Sequence, residues 1–501
     1  MGNEPFYFLL RFTDPEVKYD RLAISETAGY SIRRNLASAF SLLGVSGTNT
    51  HSMESFIGDV VDPRLLGFDT GSGIGDGYYD QFYAFIPDDA AKLPRQLYEI
   101  ARELVETSRS LRLDSGDGAD ILDLTELHTL FTVQNLTVFV TAFFHSLHWH
   151  MPVVHCPTFD PANVSNCLLL AIFLAGAVYT IPCSGSDLLL PSLLSVAEEY
   201  VFRRVATAAT TLNDHPIKGS TIEIVQAALI LEMLQFSQGD PQTRRRIRII
   251  RHPCLVSTIR SMGLFHYKRR EAPVVCDGEN KWRDLAAEEV CIRVACWAFL
   301  ADGFLTVCFK NHPSLSIFEM DCDFPWSTEL FESENVSTFN DTVTIHTTVP
   351  SLPTLRKVAE GLLQMPSSNQ HISWGRSLSV EHLLMLIYAM NSLAFQARSG
   401  LLGFISIDII KHAAMNWHKL WKSVLSHLHH INGVTTTENL HLGYPKHAEE
   451  LWWLLMTTLD ATTNQTQNKG KRFQYLDSAA TDDLGKLNEF ILSARGRKSS
   501  I

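Results

Sequence analysis

From Pro94 onward the chain repeats one pattern, with apolar residues three and four positions apart and polar residues in the gaps. Leu97, Ile100, Ala101, Leu104, Val105 and Leu111 set it. That spacing draws one face of an amphipathic helix, not the two-residue alternation of a half-buried strand. Pro94 suits a helix start, where a missing N–H costs nothing. The same periodicity predicts helices over 131–150, 166–180, 224–236, 284–309, 378–396, 405–430 and 448–459. Ser220-Thr221-Ile222-Glu223 reads as a capping box opening the 224–236 helix, and Gly239 is placed to end it. On the 284–309 helix, Glu289 and Arg293 stand four apart and are expected to pair on its surface.

Alternation is scarce. Val343-Thr344-Ile345-His346-Thr347 is the best strand candidate and is expected in a loop. Residues 1–93 are turn-rich, with Gly71-Ser72-Gly73-Ile74-Gly75-Asp76-Gly77 at their centre, and read as an arm with short helices. Residues 462–471 are polar enough for a linker, and 473–501 offer one last helix before a basic tail. The expected fold is therefore all-α: a large multi-helix domain over 94–460, a partly extended N-terminal arm over 1–93, and a linker with a C-terminal helix or tail over 461–501.

Composition narrows this picture. The chain has 501 residues, of which 46% are hydrophobic, enough for a sizeable core without disulfides or metals. Its formal charge of −12 argues against a surface that grips nucleic acid by neutralising phosphates. Two basic runs are exceptions: Arg244, Arg245, Arg246, Arg248 and Arg251, then Lys268, Arg269 and Arg270. The first is expected to be a solvated helix face, with a nuclear-import signal or phosphate contact as the alternative.

The nine cysteines all fall at or after Cys156 and form no Cys-x-x-Cys pair, which suits a reducing compartment better than a disulfide framework. The N-terminus lacks the basic n-region of a signal peptide. The charge-free run 167–183 is cut by Pro182 and is expected to be a buried core helix; no membrane partner is expected.

Each catalytic constellation fails on residue type. The glycine stretch at 71–77 places Asp76 or Tyr78 where a dinucleotide fingerprint needs its third glycine. Gly44-Val45-Ser46-Gly47 is one residue short of a nucleophile elbow. His447-Ala448-Glu449 resembles the start of a zinc deaminase signature, but no Pro-Cys-x-x-Cys follows. His145, His148, His150 and His155 invite a metal, yet only Cys156 joins them, and a zinc site needs a fuller ligand set. They are expected to be helix-end and loop histidines among aromatic rings, and His427, His429 and His430 likewise. No catalytic, cofactor-binding or metal-binding residue is assigned, no cofactor is expected, and no DNA-binding residue can be named.

With helices in place, the segment 143–160 takes on a sharper meaning. Phe143-Phe144-His145, Trp149, Pro152, His155, Pro157-Thr158-Phe159 and the following Leu168–Ala177 helix resemble the opening of the fungal-specific transcription factor domain. Further pieces come in that family's order. Glu223, Gln226, Ala227 and Leu229 look like its second characteristic helix, and Arg260 with Met262-Gly263-Leu264-Phe265 looks like its Gly-Leu-His corner, with Phe265 replacing the usual His. Trp282, Glu289, Arg293, Trp297 and Asp302 follow its spacing, and Pro313, Ile317, Asp321, Asp323 and Pro325 look like the loop beyond. Asn311-His312-Pro313 departs from the commoner Gly-Arg-Pro, and Pro5 to Thr13 looks like the segment that precedes the domain in regulators with two-cysteine, two-histidine fingers.

The resemblance implies a nuclear transcription regulator and not an enzyme, its helical region making contacts with other transcription regulators or the transcription machinery, as a possible homo- or hetero-oligomer. It further suggests control of a secondary-metabolite gene cluster. Members normally carry an N-terminal zinc-binding DNA reader, and no cysteine precedes Cys156. Contact with DNA is therefore expected only indirectly or through a module missing from this sequence. The alternative is a helical adaptor outside the nucleus.

Overall fold

The computed structural model describes residues 6–13, 92–115, 122–145, 147–180, 189–211, 219–237, 240–270, 275–346, 353–364, 377–400, 405–432, 444–466, 474–477 and 480–498. Among them every regular element is helical, as the apolar spacing requires. The chain divides into two compact units, Tyr19–Gly239 and Met1–Lys18 with Asp240–Ile501.

The first unit contains α2 (Lys92–Ser115), α3 (Leu124–Leu130), α4 (Val133–His145), α5 (Asn166–Thr180), α6 (Leu189–Thr211) and α7 (Gly219–Ser237). Helix α5 carries no charged residue, and Leu168 through Ala175 are buried throughout. A helix apolar on every face must be surrounded. It packs on α4 and α7, while α6 lies against α7 and α2. Gly176 permits this approach: a Cβ there would lie 1.9 Å from the Phe139 carbonyl oxygen on α4. Rings of Phe131 and Phe139 close on Phe173 at 4.5 and 4.9 Å.

The second unit begins with α1 (Tyr7–Thr13) and continues from α8 (Pro241–Arg246) through a π-helical turn into α9 (His252–Ser261). Asp240 caps α8 through the Gln242 and Thr243 N–H groups. Next come α10 (Glu279–Phe309), α11 (Thr328–Phe331), α12 (Val336–His346), α13 (Leu355–Leu363), α14 (Val380–Arg398), α15 (Ile407–Asn432), α16 (Ala448–Thr466), α17 (Gln474–Asp477) and α18 (Gly485–Lys498). Helix α10 packs on α14, α14 on α15 and α16, α15 on α13, and α1 on α18. Helix α10 is long and apolar enough to cross a membrane by length and composition, but its apolar window is 78% buried inside the protein, as in the core helix of a bundle.

Four expectations change. Helix α7 starts at Gly219, so Ser220–Glu223 lie inside it and form no capping box; the Glu223 carboxylate accepts the Ser165 N–H instead. The strand-like Val343–His346 stretch is the end of α12, because Phe339 and Val343, four apart, are buried against Trp282 and Trp326. Its threonines return their hydroxyls to backbone carbonyls one turn back, as Thr344 does to Asn340. Helix α16 runs on to Thr466, through residues read as linker. Helix α10 starts at Glu279, one turn ahead of the expected 284. The glycine stretch at 71–77 and most of the expected arm lie outside the described residues.

Candidate functional site: polar groups buried behind the motif helices

Helix α10 concentrates the chemistry-bearing side chains of the second unit. Glu289 and Arg293 are fully buried, not solvated as expected, and Trp282, Trp297 and Asp302 are buried with them. A carboxylate in an apolar interior is costly unless it is paired and hydrogen-bonded. Glu289 is both. Its Oε1 accepts Arg293 Nε at 2.8 Å and the Trp326 N–H at 2.7 Å, and its Oε2 accepts Arg269. Arg293 also donates to the Trp326 carbonyl at 2.9 Å and lies 3.8 Å from the Phe331 ring centroid. Arg269 donates further to the Phe324 carbonyl at 2.7 Å, while its own N–H donates to Asp323 at 2.9 Å.

The loop from α10 to α11 is thus clipped to α10 by buried charge. Four turns along, Asp302 repeats the device, accepting the Ser314 and Leu315 N–H groups at 2.9 and 3.0 Å and His252 Nε2 at 3.2 Å. Arg260 holds the same loop from α9, through Glu319 and the Ser314 carbonyl. Asp321 accepts the Thr354 hydroxyl at 3.1 Å, and Pro325 offers its carbonyl to His382 Nε2 at 2.8 Å. Since His382 Nδ1 accepts the Ser379 N–H, the ring proton sits on Nε2; burial holds this imidazole below its usual pKa.

The expected corner forms at Gly263, whose φ of +70° is left-handed backbone that glycine adopts without strain. Phe265, in the place of the family's histidine, is buried. Beyond α10, Lys310 takes the left-handed C-cap position at φ +58° and returns its N–H to Leu305. Its ammonium lies over the Tyr475 ring at 3.8 Å, and burial pulls its pKa from 10.5 to about 7.

The first unit shows the same logic with neutral groups dominant. The opening-motif loop is fastened to α7, where Gln226 Nε2 donates to the Val153 carbonyl and Glu223 accepts the Ser165 N–H, both at 2.6 Å. His155 Nδ1 meets the Thr158 hydroxyl at 2.8 Å, His148 sits 5.2 Å from the Phe144 ring, and desolvation lowers His145 to about 4. The cluster at 145–155 does not converge: among the described residues no group of three or more His, Cys, Asp or Glu could hold a metal ion.

The first basic run corrects another expectation. Arg244 and Arg248 are buried, and Arg248 reaches Asp482 at 2.6 Å and Asn311 at 3.2 Å; of Arg244, Arg245 and Arg246 only Arg245 is exposed. The π-helical turn rotates part of the arginine stripe inward, so it is no continuous solvated face. In the second run Arg269 is consumed by Glu289, and Arg270 pairs with Glu288 at 3.2 Å. Sequence reasoning missed these long-range partners, together with the capture of the α1 backbone by Glu450.

The motif side chains hold loops against helices, and the class so defined is an all-helical scaffold. The model of the fungal specific transcription factor domain matches residues 140–419, more than half of the chain, and the chain belongs to that family, one of regulators and not of enzymes. The chain is similar to Transcription factor verF of Penicillium polonicum, with 25% identity over 332 residues, covering 64% of this chain and 44% of that protein. It therefore spans less than half the length of that relative. No solved structure matches the chain.

Proposed function

We propose that the chain is the helical regulatory region of a nuclear fungal transcription regulator. It works by contact with other transcription regulators or the transcription machinery, and its target is a secondary-metabolite gene cluster. The regulatory domain occupies 94–460, flanked by the arm at 1–93 and the linker and C-terminal helix at 461–501. DNA is engaged indirectly or through a module outside this sequence, in keeping with a formal charge of −12.

One observation carries this reading. Glu289, Arg293 and Asp302, polar residues that mark the family's motifs, are used up inside the protein, each bonded to a loop backbone or its neighbour. What remains for function is the outer surface of the helices. The likeness to a protein named a transcription factor supports the same reading.

Chromatin occupancy in the native host, joined to expression profiling of a deletion strain, tests it. The expected result is nuclear protein at promoters of a contiguous biosynthetic gene set whose transcripts change on deletion. An exclusively cytosolic protein with unaltered transcripts would overturn it in favour of the adaptor.

A further inference from the structure

The loop that leaves α10 turns back along it. Asp302 holds the Ser314 and Leu315 N–H groups, and Glu289, roughly four turns earlier, holds the Trp326 N–H. Between those two clips the loop runs antiparallel to the helix, which sets Cys322 against the part of α10 that carries Cys296. The thiols meet there, and Cys296 is hydrogen-bonded to Cys322. Both side chains are fully buried, and both are free thiols.

The backbone is pinned on both sides of Cys322. Before it, the Met320 carbonyl accepts the Arg356 N–H at 3.1 Å, and Asp321 accepts the Thr354 hydroxyl at 3.1 Å. After it, the Asp323 N–H donates to the Tyr267 carbonyl at 3.1 Å, and its carboxylate accepts the Arg269 N–H at 2.9 Å. Cys296 is fixed in the middle of a long helix. Joining two cysteines costs free energy chiefly because they must be brought together and held. Here the fold already holds them together. The hydrogen bond to Cys322, with burial, raises the Cys296 pKa, so the pair rests as two neutral thiols.

We propose that Cys296 and Cys322 are a reversible disulfide site, which closes when the surrounding glutathione pool is oxidised and then locks the loop to α10. A structural zinc fits two facing thiols less well, since it needs four ligands and no group of three or more His, Cys, Asp or Glu could hold a metal ion among the described residues. Local opening of the loop brings Cys322 to solvent. Its sulfur attacks glutathione disulfide, which forms a mixed disulfide and releases one glutathione. When the loop closes, the Cys296 sulfur displaces the second glutathione. Two electrons pass from the protein to glutathione disulfide, and the two thiol protons leave on the two glutathione molecules released.

The test equilibrates the folded full chain in a series of buffers with fixed reduced glutathione and rising glutathione disulfide. Unreduced digests are then mapped by mass spectrometry. The link between Cys296 and Cys322 is the expected product. Half-closure should need at least about 100-fold less glutathione disulfide than in the same chain unfolded in denaturant, because groups held in place react at effective concentrations far above those in a flexible chain. Both thiols staying free while the half-buried Cys254 and Cys291 take up glutathione would overturn the proposal. So would a pair that closes no more readily folded than unfolded.

The lock has its own readout in hydrogen exchange. With the pair closed, the Ser314, Leu315 and Trp326 N–H groups should exchange at least about 10-fold more slowly than with the pair open, because the loop can then leave α10 only as a tethered segment. Cys322→Ala should show the same exchange in both buffers. If that variant fails to fold, the unmodified chain measured before and after reduction decides alone. Equal exchange in its two thiol states would overturn the lock.

Discussion

Helices α5 and α10 are both core helices, yet they are fixed in different ways. Helix α5 has no charge to place; it is positioned by apolar packing and by the missing Cβ of Gly176 against Phe139. Helix α10 buries Glu289, Arg293 and Asp302 and holds its neighbours by charge-assisted hydrogen bonds to the loop that follows it. Packing of the first kind tolerates volume-conserving change but no added atom at the contact. Buried charge of the second kind does not tolerate the loss of one partner. The comparison teaches where each unit is brittle.

The largest effect should come from breaking the charge on α10. Glu289→Ala strands Arg269 and Arg293 beside each other in a dry site and should cost about 3–5 kcal/mol, read as a lowered denaturant midpoint. A cost near zero would mean that the two guanidinium groups find other acceptors. On α5 the matching lesion is an addition. Gly176→Ala drives a methyl into the backbone of α4 and should cost about 3 kcal/mol, although the same change in a solvated helix stabilises.

A pH signature is expected at Lys310, just beyond α10. Its folded-state pKa is about 7 against an ordinary 10.5, so between these values the unfolded chain binds more protons and stability rises with pH. The contribution, on the order of 2 kcal/mol after allowance for relaxation around the amine, is complete above about pH 10.5 and lost as pH falls to about 7. Lys310→Met should flatten that part of a stability–pH curve, and an unchanged slope would contradict the assignment. The smallest effect is a control: Arg283→Ala, removing an exposed pair with Glu279 on the first turn of α10, should change stability by less than about 0.5 kcal/mol.

How much of this could be read in the chain differs between the two helices. Helix α5 was legible almost to the residue, because Asn166–Thr180 holds no polar side chain that needs a distant partner. Helix α10 was legible as a helix but not as a site. An acid and a base four apart are ordinarily a solvated pair, and what reverses that is the Trp326 backbone, 37 residues from Glu289. Val343–His346 misled because β-branched residues favour strands, while the apolar signal that mattered, Phe339 with Val343, had a helical period. The family's motif residues were recognised from their order alone; that Gln226, Glu223, Arg260 and Asp302 all fasten loops is a fact of three dimensions. The hold of Glu450 on Phe8 spans 442 residues and leaves no local trace.

The account stands on the claim that the polar motif side chains serve the loops behind them. Native-state hydrogen exchange of single amides tests it most directly, comparing the Trp326, Ser314 and Leu315 N–H groups in the unmodified protein, Glu289→Gln and Asp302→Asn. Glu289→Gln should lower protection at Trp326 while sparing Ser314 and Leu315, and Asp302→Asn should do the reverse. Protection unchanged at all three amides in both variants would contradict the claim and free those side chains for some other work.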